Sequence, residues 1–118
     1  MATRKEAAPT RSTAARKDAV TELRSLRKSI DNLDCALFCL LAERFQITQK
    51  VGVLKAEHGI PAVDPEREAA QKDRTRALSA KAGLDPIFAE QLLHFILKDV
   101  VRKHRAIAKR YRAPVADA

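Results

Sequence analysis

Arg44, Lys55 and His104 stand where the surrounding pattern calls for apolar residues, and the run VDPERE (63–68) packs four charges into six positions. At about 100° per residue on a helix, Arg44 falls within about 20° of Leu37 and Val51 and about 40° of Thr48, and Lys55 lies about 20° from Arg44. Burying an unpaired cation costs several kcal/mol, so each needs an anion or a wet cavity. Two cations in register, ~16 Å apart, suit an elongated anion. A second explanation stays open: each could snorkel to the edge of its stripe or pair with an acid on another helix. Arg27 lies about 100° round from Arg44, so it faces the equivalent cavity of a partner chain more easily than this one. His104 repeats the anomaly, within about 20° of Leu93, Leu97 and Tyr111. It reads either as a core histidine with its hydrogen bonds satisfied or as part of a polar pocket between helices.

The elements that must carry these residues are helical. Hydrophobic residues make up 46% of the chain and aromatics only 4%, with three glycines and five prolines. Ala, Leu, Glu, Lys, Arg and Gln dominate, and these are good helix formers, so the fold class is all-α. Apolar residues recur at helical intervals from Asp18 to His58, including Leu23, Leu26, Ile30, Leu33, Leu37, Leu41, Phe45 and Val51. Gly59, Ile60 and Pro61 stop this helix. Asp64 and Pro65 start a second, closed by Gly83, and Asp85 and Pro86 start a third that reaches Tyr111. A helix of about 40 residues spans ~60 Å. That exceeds what a compact domain with a radius of gyration near ~13 Å can cover. The expectation is an intertwined homodimer of three-helix chains sharing one very long N-terminal helix.

The domain expected is 18–112, with a disordered basic extension at 1–17 and a frayed end at 113–118. The net charge of +8 invites a nucleic-acid reading, but half of the excess lies in residues 1–17. The cations of the third helix spread around it without a zinc or recognition-helix motif. They also suit the negative end of the helix dipole. Nucleic acid is therefore not the expected partner. No segment has the ~20 apolar residues of a membrane span, and Cys35 and Cys39 have neither metal-site nor redox spacing. Reduced thiols point to the cytoplasm.

The runs LRKSIDNLDCALFCLLAER (26–44), KVGVLK (50–55), IPAVDPERE (60–68) and GLDPIFAEQLLHFIL (83–97) together resemble the all-helical, type II class of chorismate mutase. The resemblance covers about residues 22–105. It implies a helix-sharing dimer that rearranges chorismate to prephenate on the route to phenylalanine and tyrosine, with no cofactor and no metal. A pericyclic rearrangement needs a dianion held in a reactive conformation and stabilisation of the charge growing on the breaking ether oxygen. Matched to the family's motif, Arg44 clamps one carboxylate and Arg27, from the other subunit, clamps a carboxylate too. Lys55 donates to the ether oxygen, Asp64 and Glu68 receive the substrate hydroxyl, and Arg67 supports the carboxylates. The charged run VDPERE thus both starts a helix and faces the substrate.

The third helix departs from the family's pattern. His104 stands where a glutamine or glutamate completes the ether-oxygen contact, and Val100 where serine is frequent. Histidine donates from both nitrogens only when protonated, so His104 is expected to act as the cation. Because the departure falls in the site, two related reactions remain: elimination of pyruvate from isochorismate, and rearrangement of 4-amino-4-deoxychorismate.

Overall fold

A computed structural model describes residues 12–112 of the chain; the expectations for 1–11 and 113–118 lie outside the described residues. It contains three helices: α1 (Thr13–Glu57), α2 (Pro65–Ala82) and α3 (Pro86–Arg112). Among the described residues there is no strand, so the all-α reading and the helix count hold. No helix is long and apolar enough to cross a membrane among those residues.

Helix α1 runs for 45 residues because no proline interrupts it and Gly52 is its single glycine. It starts five residues before Asp18, so residues 13–17, read from the sequence as part of a disordered extension, are helical. The cause is local. The Ser12 hydroxyl accepts the N–H of Ala15 at 3.0 Å and its carbonyl accepts that of Arg16 at 3.1 Å, which caps a turn of good helix formers.

The turn after α1 sets the geometry of everything beyond it. Gly59 takes a left-handed φ of 65°. The Ile60 N–H donates to the Lys55 carbonyl at 2.8 Å and the Gly59 N–H to that of Ala56 at 3.4 Å, closing a Schellman motif. Asp64 caps α2 by accepting the Arg67 N–H at 3.1 Å, with Pro65 in the first turn. Gly83 (φ 74°) ends α2, and the Asp85 carboxylate accepts the Ile87 N–H at 3.0 Å to open α3.

By internal contacts the chain divides into two units, residues 1–42 and 43–118. In the first, α1 leaves its apolar side chains exposed, with Leu33 at 70%, Phe38 at 66% and Leu40 at 69%. Cys35 and Cys39 are free and exposed there. In the second unit, α2 and α3 pack together, joined by an ion pair of Arg76 with Glu90 at 2.7 Å. Gly52, Ser79, Ala89, His104 and Ile107 are its buried residues. Lys103 lies 4.3 Å from the centre of the Phe45 ring and 2.8 Å from Asp99. Lys103 and then Arg102 hold the Asp99 carboxyl below its ordinary range.

Candidate active site

The end of α1, the turn after it, the first two turns of α2 and the middle of α3 enclose a cavity of about 290 Å³ within residues 43–118. Seven of the eight site residues expected from the sequence line it: Arg44, Lys55, Asp64, Arg67, Glu68, Val100 and His104. The eighth, Arg27, belongs to the other unit, where it is exposed. Arg44 and Lys55 do share one face of α1, as their spacing required.

Charge in the cavity is divided between Arg44, Lys55 and Arg67 on one side and Asp64 and Glu68 on the other. Among the described residues none of these five belongs to an ion pair. Arg44 is half-buried and its Nη1 is fully enclosed with no hydrogen-bond partner. An enclosed cationic donor left unsatisfied is costly, and an anion in the cavity relieves that cost. Lys55 Nζ donates to the Ala62 carbonyl at 3.3 Å, which uses one of its three protons. One Asp64 oxygen is committed to the α2 cap, while the half-buried Glu68 lies one turn on with its carboxylate uncommitted among the described residues.

His104 is 4% exposed. Its Nε2 lies 2.7 Å from the Thr48 carbonyl on α1, and its Nδ1 is buried without a partner. It is therefore neither wholly satisfied nor wholly free. Ile47, Val51, Leu97 and Val101 supply apolar walls. Gln71 also lines the cavity and was not among the residues singled out from the sequence. Its spacing was the available signal, since it follows Arg67 by four and Glu68 by three and so shares their face of α2. A larger cavity of about 460 Å³ takes Lys55, Ala62, Arg105 and Arg112, but among the described residues no carboxylate borders it to receive a hydroxyl.

A model of the family described as chorismate mutase type II matches residues 26–105, a stretch that contains every lining residue of the smaller cavity. The chain belongs to the type II chorismate mutase family. The chorismate mutase of Methanocaldococcus jannaschii is 33% identical over 92 residues, 78% of this chain and 89% of that protein. A 4-amino-4-deoxychorismate mutase of Streptomyces venezuelae is 30% identical over 89 residues, 75% of this chain and 86% of that protein. The T-protein of Enterobacter agglomerans is 36% identical over 80 residues, 68% of this chain but 21% of that protein. The chain thus spans about a fifth of the T-proteins it matches. Membership of the chorismate mutase family agrees with a site rich in cations.

Proposed function

We propose that the chain is a cytoplasmic chorismate mutase, rearranging chorismate to prephenate in aromatic amino-acid biosynthesis. The observation that carries this reading is one cavity holding Arg44, Lys55 and Arg67, none of them ion-paired, together with Glu68. Chorismate carries two carboxylates, a ring hydroxyl and an enol ether. Arg44 offers a planar fork to one carboxylate, and Arg67 adds charge beside it. Glu68 accepts the hydroxyl. As the C–O bond breaks and the new C–C bond forms within one molecule, negative charge grows on the ether oxygen. Lys55 donates to it, which lowers the barrier without a proton leaving the enzyme. The active form is a homodimer, in which Arg27 of each chain completes the other's site.

His104 stands at the remaining position around the ether oxygen. Because Nε2 lies against a carbonyl, donation to substrate falls to Nδ1, which carries a proton only in the imidazolium. A second reading has a specific support: the relative from Streptomyces venezuelae covers most of both chains and bears the name of a mutase for the 4-amino analogue. Glu68 accepts a hydrogen from an amine as readily as from a hydroxyl.

The test is to incubate the protein with chorismate, follow loss of the cyclic diene absorbance and identify the product. Prephenate formation that falls by more than about 100-fold in Arg44→Ala is the expected result. Turnover of 4-amino-4-deoxychorismate but not chorismate assigns the second reading instead.

A further inference from the structure

We infer that Gly52 is a positioning residue for the reaction: with the Thr48 carbonyl, its bare backbone seats the His104 imidazole so that Nε2 is the nitrogen bound to the carbonyl and Nδ1 is the one left for a ligand. Gly52 sits within α1, five residues before its end, where glycine disfavours a helix, and its φ is not in the left-handed region that would require glycine. Backbone conformation therefore gives no reason for it. Packing does. A Cβ added at Gly52 would lie 2.6 Å from His104 Cδ2, 3.0 Å from His104 Nε2 and 2.9 Å from Ile107 Cδ1. The Cδ2–Nε2 edge of the ring fills the space where a side chain would stand.

The same edge fixes the protons. A carbonyl can only accept, so the ring nitrogen 2.7 Å from the Thr48 oxygen must carry a hydrogen. In the neutral ring that leaves Nδ1 as a bare lone pair on the opposite edge, where it is buried and unpartnered. Nδ1 is then an acceptor in the neutral ring and a donor in the cation, while Nε2 is a donor in both. Around the ring, α1 supplies Arg44 and Lys55 to the shared cavity, and the start of α2 supplies Asp64, Arg67 and Glu68. On α3 itself Lys103 and Arg105 flank it, with Lys103 held by Asp99. Were the ring free to turn over, either nitrogen could face a ligand and the protonation state would matter less. Gly52 gives the ring room to lie edge-on against α1, and the hydrogen bond to the Thr48 carbonyl, possible only at that distance, opposes its turning over.

The inference rests on the proposed activity for its kinetic consequence but not for the state of the ring, so two measurements separate the two failures. The first is nitrogen-15 NMR of the native protein's histidine rings through a pH titration, which needs no turnover and no variant. The expected result is a neutral His104 protonated on Nε2. A neutral ring protonated on Nδ1 overturns the inference. The second is Gly52→Ala made in the native chain and in His104→Gln, with kcat, KM and the pH profile measured for each. In the native chain, a displaced ring should cost about tenfold or more in kcat while KM moves by less than about threefold. The pH profile of kcat should also change. In the His104→Gln chain, whose flexible side chain can step aside, the same change should cost under about threefold. Equal losses in both backgrounds, or an unchanged native pH profile, mean that Gly52 only packs helices and overturn the inference.

Discussion

Arg44 shows how a residue that weakens the fold can be the one the site needs. Its Nη1 is enclosed without a partner, a condition that costs about 1–3 kcal/mol or more for a charged donor. Nothing in residues 43–118 forms an ion pair with it among the described residues, so the cost is met only when an anion arrives. Arg44→Met should accordingly hold or raise Tm while kcat/KM falls by more than about 100-fold, the usual signature of a site that trades stability for function. Arg44→Lys keeps the charge but loses the planar fork, and should cost about 10–100-fold in kcat/KM. Thermal melts and steady-state kinetics on the two variants read both effects. The position of Arg44 was legible from its angle on α1, because a cation in an apolar stripe is a visible anomaly. The partner of His104 was not. Thr48 enters through its backbone carbonyl, and a backbone acceptor on another helix leaves no mark in a side-chain pattern.

The helix ends decide where those residues stand. Gly59 holds φ at 65° while Lys55, the first residue of the same Schellman motif, gives its carbonyl to Ile60 and donates from its Nζ to the Ala62 carbonyl. A Cβ at Gly59 would meet nothing within 4 Å, so the strain of Gly59→Ala is purely conformational. It should cost about 1–2 kcal/mol of stability in urea unfolding. If the turn is what places Lys55, the loss in activity should appear in kcat rather than KM. The Gly-Ile-Pro break announced this turn in the sequence, and Asp-Pro announced both later starts. The start at Thr13 was obscured because residues 12–17 carry the basic, small-residue composition of the tail before them. The mark of the start is the Ser12 hydroxyl, which caps the first turn. On α3, Lys103 and Arg102 depress the Asp99 carboxyl. A depressed carboxyl stabilises the fold above its unfolded value and loses that contribution as pH falls. Asp99→Asn should therefore melt below the native chain near neutrality, and the two melting curves should converge in acid.

For the molecule as a whole, the unit of residues 1–42 poses a question that no single chain answers. Leu33, Leu37 and Leu40 are 70%, 48% and 69% exposed and lie within about 60° of one another on α1, and a stripe of exposed apolar side chains suits a surface made for a partner. The proposed partner is a second copy. Under that proposal Leu33→Glu should shift the sedimenting species towards monomer and make Tm fall with dilution. The shared site makes a stronger demand. Under the same proposal Arg27 of one chain completes the site that holds Arg44 of the other. Arg27→Ala and Arg44→Ala should then each be nearly inactive alone. When the two variants are unfolded together and refolded, random pairing gives half mixed dimers. In each of these, one site collects both substitutions and the other collects neither. About a quarter of the native activity should return, since half the dimers hold one good site of two. If Arg27 served the site of its own chain, every site in the mixture would still lack one arginine. No activity would then return, and the proposal that the site is shared would be wrong even if the dimer itself were real.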